Sequence, residues 1–186
     1  PRHNTTHVLS YWEQALWVAH ATATLADLVG GEGKPNRGVA YLTGLFHNFG
    51  YLVLSYTFPP HFRTVTESTD INRHLDVSIV DLHILGLTRE QIASELMANW
   101  GMSQALIRGL RYQKLPEYVG EHFEYANLVF LARNLLIERG LRLGPGTAID
   151  ETIFRRLGMD PQAARGRIEA LLKDAERIDG MAKLMG

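Results

Sequence analysis

The stretch GLFHNFGYLVLS, residues 44–55, sets His47 and Asn48 side by side in an otherwise apolar run that holds two glycines. Apolar residues recur around it at helical spacing. The run therefore reads as part of one helix that starts after the capping residue Asn36, passes through His47 and is stopped by Pro59 and Pro60. Gly44 and Gly50 each cost a helix interior roughly 1 kcal/mol relative to alanine. In return they allow close packing against another helix, or a break beside the polar pair. A neighbouring His and Asp on one helix can both ligate a metal, the Asp adding charge that a neutral ligand lacks. Here the second residue is an amide, so the question is whether this is an altered active site or the shell of one put to another use.

Working outward, the spacing stays helical. Residues 8–29 repeat Val8, Trp12, Leu16, Ala19 and Ala23 at steps of three and four, the pattern of one buried face, and Gly30 to Gly33 end that helix. After residue 60 comes a polar link, then a helix over 73–85 ended at Gly86. Thr88-Arg89-Glu90-Gln91 is a capping box opening a helix to Trp100. Ser103 starts SQALIRGLRYQK, which Pro116 stops. Residues 121–139 form a long apolar helix, and GLRLGPG is a loop. Asp150 caps a short helix to Leu157, while Asp160-Pro161 opens a final charged helix through residue 185. Trp12, Trp17 and Trp100, with Phe46, Tyr51 and Phe123, read as core and helix-packing residues. No strand alternation is sustained, so the fold class is all-α.

Composition sets the outer bounds. A chain of 186 residues with 46% apolar content can bury a substantial single core. Its net charge of −1 gives no bulk attraction to nucleic acid or anionic lipid, so any anion site must be local. The absence of cysteine excludes disulfides and thiolate ligands and is in keeping with the cytoplasm. Apolar runs are interrupted well before the ~18 residues that a membrane span needs. The opening PRHNTTH looks like neither an initiator nor a tag, which suggests a segment of a longer protein.

The order of these elements, with His-Asn in the second helix, resembles the HDOD family, the HD-related output domain of bacterial signalling proteins. The resemblance rests on SYWEQALWVAHATATLA (10–26), AYLTGLFHNFGYLVL (40–54), LGLTREQIASELMANWGM (85–102) and ALIRGLRYQKLPE (105–117). It implies an HD-like multi-helix bundle that shares its core with the HD-domain metal phosphohydrolases. Residues 1–145 look like the HD-like half of such a domain, without the helical segment that usually precedes it. Residues 146–186 are expected to be a helical extension packed on the same domain. The resemblance further implies a role downstream of sensor or receiver modules, acting through protein contacts more than by catalysis.

Carried over position by position, the resemblance sets the hydrolases' metal ligands at Gln14, at His47 and Asn48, near Arg89, at Gln113 or Lys114, and near Asn127. Only His47 is a good ligand. Arg89 and Lys114 are cations, and a cation pair opposes a divalent metal. Asn48 and Asn127 keep the shape of aspartate without its charge, so the polar cluster can be hydrogen-bonded and structural. No metal, cofactor or catalytic residue is expected, and the chain reads as a non-catalytic signalling module.

Other histidines add no site. His3 and His7 share a helical face near a terminus, where chance is the better account. His20, His61, His74, His83 and His122 are isolated, and no phosphate loop or nucleophile elbow is present. One cationic cluster does stand out: Arg108, Arg111 and Lys114 step along one helix, and Arg89 is expected to face the same cleft. Together they would suit a phosphate-bearing nucleotide second messenger. Ordinary pairing with Glu90, Glu117 and Glu121 is the simpler account. The expected partners are signalling proteins and a second copy of the chain, with a nucleotide as the alternative ligand.

Overall fold

The computed structural model describes residues 9–31, 34–72 and 74–174. His3, His7 and the end of the expected final helix lie outside these residues. All ten regular elements described are helices: α1 (Tyr11–Ala26), α2 (Arg37–Leu45), α3 (Phe49–Thr57), α4 (Pro59–Ile71), α5 (Val77–Leu85), α6 (Arg89–Asn99), α7 (Gln104–Tyr112), α8 (Phe123–Glu138), α9 (Thr152–Arg156) and α10 (Pro161–Lys173). None is long and apolar enough to cross a membrane.

Two helices form the centre. Helix α1 starts at a capping box in which Ser10 Oγ accepts from the Glu13 amide while the Glu13 carboxylate accepts from the Ser10 amide. It then buries residues on nearly every side, from Ala15 to Ala26, so its surroundings are protein all round. Helix α8 is embedded in the same way, with Leu128, Leu131, Leu135 and Leu136 fully enclosed. Helices α2, α8 and α10 pack on α1, and α7 closes on α8. Beyond the loop, Ile153 and Phe154 of α9 and Ala164 and Ile168 of α10 enter the same core.

The expected single helix from Asn36 to Phe58 is in fact two. A turn over residues 46–48 separates α2 from α3, and the His47 imidazole donates from Nδ1 to the Gly44 carbonyl at 2.7 Å. The break lets the two segments serve different partners: α2 lies on α1, whereas α3 lies on α6. Both flanking glycines mark close approach. A Cβ on Gly44 would come within 2.7 Å of Ala19 Cα, and one on Gly50 would run into the Arg89 carbonyl oxygen.

The proline pair follows the end of α3, as expected, and it also opens a helix that was not expected. Pro59 and Pro60 occupy the first turn of α4, where the missing N–H groups would have had no helical partner anyway. The segment read as a polar link is therefore the helix α4, which buries only Val65. Helix α5 begins at Asp76, later than expected, and buries only Val80 and Asp81. Among the tryptophans, Trp17 is in the core, but Trp100 is 58% exposed at the end of α6, against Phe49.

Candidate functional site

A cavity of about 670 Å³ opens where the start of α1, the 46–48 turn, α3, the first turns of α5 and α6, the end of α7, and α8 converge. The loop over residues 142–147 forms another wall. Of the positions expected from sequence, Gln14, His47, Asn48, Arg89, Gln113 and Lys114 line this one space. They come from four separate segments, so the helical order alone brings them together.

Each has a distinct local role. Gln14 donates to the Leu9 carbonyl at 2.9 Å. Gln113 is buried and donates to the carbonyls of His47 and Leu110, both at 3.0 Å, fastening the end of α7 to the α2–α3 turn. His47 is 6% exposed, and burial pushes its pKa down to about 4, with the Arg133 charge adding to the depression and the Gly44 hydrogen bond opposing it. The ring is therefore neutral at pH 7. Because Nδ1 donates, its lone pair is on Nε2. Asn48 is half-buried at the cavity wall and supplies no side-chain cap to α3.

The cations are held by carboxylates. Arg89 Nε lies 3.1 Å from Asp81 Oδ1, and its guanidinium sits 5.3 Å from the Tyr51 ring centroid. Asp81 is fully buried; burial raises its carboxyl pKa, and Arg89 offsets only part of that rise. Lys114 Nζ is 2.8 Å from Glu90 and 3.3 Å from Ser78 Oγ. Asp76 caps α5 by accepting from the Ser78 amide at 2.7 Å. Burial pulls the Asp76 carboxyl up, but the Ser78 hydrogen bonds and the charges of Lys114 and Arg133 outweigh it and leave its pKa below the ordinary value.

Three expected positions fall elsewhere. Asn127 is fully buried but does not line the cavity: its amide nitrogen donates to the Tyr118 carbonyl and its oxygen accepts from Arg156 at 2.8 Å. It thus latches α9 to the α7–α8 link. Arg108 and Arg111 are also outside the lining, and Arg111 instead pairs with Glu95 at 2.7 Å. The reason is geometric. Steps of three residues rotate a side chain by roughly 60° about a helix axis, so two steps carry it about 120° away. Arg108 is thereby carried off the cavity, while Arg111, one step from Lys114, is drawn instead to Glu95 and Ser94 on α6.

In their place stand residues that the sequence reading passed over, Arg133 and Asn134 on α8, Arg142 in the loop and Asp76, together with Glu90, which pairs with Lys114 as the simpler account of the cations had it. Arg133 donates from Nη2 to the carbonyls of Leu143 and Pro145, and Asn134 accepts from the Thr147 amide, so this pair pins the loop to α8. Asn134 lies seven residues after Asn127, two turns along the same face. A polar pair inside FLARNLLIE was the available signal.

The lining does not fit a divalent metal. His47 is its one good neutral donor, Glu90 is held by Lys114, Asp76 is a helix cap, and four cationic side chains share the space. Among the described residues, no three His, Cys, Asp or Glu side chains group as a metal site would need.

Comparison with known proteins supports the family-level reading. The family model described as HDOD domain matches residues 1–116. No curated protein matches the chain. Among solved structures, a provisionally named signal transduction protein from Marinobacter aquaeolei VT8 is similar at 41% identity and a TM-score of 0.88, covering 98% of this chain and 41% of that one. The chain thus spans less than half the length of that relative. A provisionally named phosphohydrolase from Shewanella amazonensis SB2B (18% identity, TM-score 0.74, 100% of this chain and 67% of that one) shares the fold. So does an HDOD domain protein with unknown function from Geobacter sulfurreducens (17% identity, TM-score 0.69, 92% and 61%).

Proposed function

The chain belongs to the HDOD family, and from that premise we propose that it is a non-catalytic output domain of bacterial signal transduction, working in the cytoplasm through contacts with signalling proteins. The observation that carries this reading is the lining of the cavity. Where a phosphohydrolase needs several anionic and imidazole ligands around a metal, this chain sets Arg89, Lys114 and Arg133 beside a single neutral histidine. Positive charge at that point opposes a divalent cation instead of recruiting one.

The surface is compatible with a role in contact. Helices α3 to α5 and their junctions expose Tyr56, Phe58, Ile71, Ile79 and Leu82, apolar side chains that a partner protein or a second copy of the chain would cover. The extension from residue 146 belongs to the same unit in this reading, because α9 and α10 fill the core that α1 and α8 build.

Metal content per chain, measured by elemental analysis after dialysis against Mn, Fe and Zn, tests the non-catalytic part. The expected result is well below one metal per chain, unchanged in His47→Ala, with no hydrolysis of phosphate esters. Stoichiometric metal that disappears in His47→Ala would overturn the reading. A second reading, a pseudoenzyme that binds a phosphate-bearing nucleotide, draws on the cations of the cavity.

A further inference from the structure

Among the described residues, Arg133 has no ion pair with a carboxylate, and only the fields of Asp76 and Glu90 reach it. It is half-buried, burial lowers its pKa, and its hydrogen bonds among the described residues go only to the Leu143 and Pro145 carbonyls, both from Nη2. The surrounding carboxylates are committed elsewhere: Asp81 to Arg89, Glu90 to Lys114, and Asp76 to the first turn of α5. Asp76 and Glu90 act on Arg133 only through their fields, with no ion pair at Arg133 among the described residues. A guanidinium in this position is costly unless an anion completes it.

Two further groups face the same space without a partner among the described residues. Arg142, in the loop pinned by Arg133, is exposed and makes no ion pair or hydrogen bond there. Asn48 lines the wall with an amide that has no hydrogen bond. Three polar donors from α8, the loop and the α2–α3 turn are thus directed to one cavity whose internal carboxylates are already occupied.

We propose that the cavity binds a nucleotide whose phosphate is held by Arg133 and Arg142, with Asn48 as a neutral donor and Lys114 as a nearby charge. This site rests on the non-catalytic reading, since a metal would compete for the same space. Phosphate suits the donors because a guanidinium fork matches its oxygens and a dianion offsets two cations. The cavity of about 670 Å³ is larger than a phosphate needs, and Tyr11, Phe130 and Leu143 supply apolar lining for a base. The loop is part of the site, so occupancy would stiffen the segment that leads into α9.

The test is calorimetric titration of the chain at low ionic strength with AMP, GMP and a cyclic dinucleotide, against citrate and inorganic phosphate. Saturable nucleotide binding that weakens by roughly tenfold or more in Arg142→Gln is expected, as is the size of effect for losing a charge-assisted hydrogen bond. Arg142→Gln removes an exposed side chain and should leave folding intact. Arg133→Lys, which keeps the charge but loses the fork, should also weaken binding. Arg108→Gln, outside the cavity, should have no effect.

Absence of nucleotide binding at millimolar concentration would overturn the site and leave the non-catalytic reading standing. Citrate binding as tightly as a nucleotide, or equal loss in Arg108→Gln and Arg142→Gln, would overturn it too. Binding accompanied by metal-dependent hydrolysis would overturn the site together with the non-catalytic reading on which it rests.

Discussion

Helices α8 and α5 are both rich in apolar residues, yet the molecule treats them in opposite ways. FEYANLVFLARNLLIE buries eleven of its sixteen residues, whereas VSIVDLHIL buries two of nine, one of which is the aspartate paired with Arg89. Ile79 and Leu82 of α5 are about half exposed. An apolar sequence therefore does not by itself mark the core. Helix α8 is surrounded by α1, α2, α7 and α10, while α5 has α4 beside it and a polar clasp to α6. Stability is concentrated around α1 and α8, and the arm from α3 to α5 hangs from it by few buried groups.

The sharpest way to break this contrast is a truncation at its strong end. Leu131→Ala should cost roughly 2–5 kcal/mol in denaturant unfolding, since Leu131 is fully enclosed and its neighbours cannot collapse onto the cavity. A loss below 1 kcal/mol would mean that the centre is less rigid than its burial implies.

Next comes the junction between the two regions, at His47. Its folded pKa is about 4 against an ordinary 6.5, so the unfolded chain takes up a proton first as pH falls. The contribution is complete above pH 6.5, shrinks as pH drops below it, and is fully lost below about pH 4, a loss of roughly 3 kcal/mol. Urea unfolding across that range should show the decline, and His47→Gln should flatten it.

A smaller effect is expected where the arm meets α6. Gly50→Ala must push α3 away from the Arg89 carbonyl, at a cost of about 1–3 kcal/mol. Hydrogen exchange should locate the loosening in α3 to α5 and leave α1 and α8 protected; exchange that rises evenly across the chain would erase the distinction drawn here. Smallest of all, Ile79→Ser on α5 should change stability by no more than about 0.5 kcal/mol.

Sequence reasoning recovered the helices that carry their own punctuation. Ser103 and Asp160 cap α7 and α10 as their side chains suggest, and Thr88 with Gln91 opens α6. It misplaced boundaries that depend on tertiary partners. The break after α2 follows from the different neighbours of α2 and α3; Gly44 and Gly50 left a break open beside the polar pair without deciding it. Pro59 and Pro60 can end one helix or begin another, and here they do both, the second unforeseen. At the site, the positions carried over from the resemblance converged except Asn127, whereas Arg133 and Asn134 were hidden inside an apolar helix and Arg142 in a loop. Arg108 and Arg111 were assigned by spacing alone, which ignored the rotation accumulated along α7.

One boundary has a practical meaning. The match to the family model ends at residue 116, but the helix that fills the centre of the molecule begins at Phe123. A fragment cut at residue 116 would leave α1 without the surface it was built to cover, and its alanine- and leucine-lined face would be open to water and to other chains. The stretch that the family model matches is thus shorter than the stretch that packs around one core. Any exchange of this domain between proteins must carry α8 with it, or supply an equivalent helix from the new host.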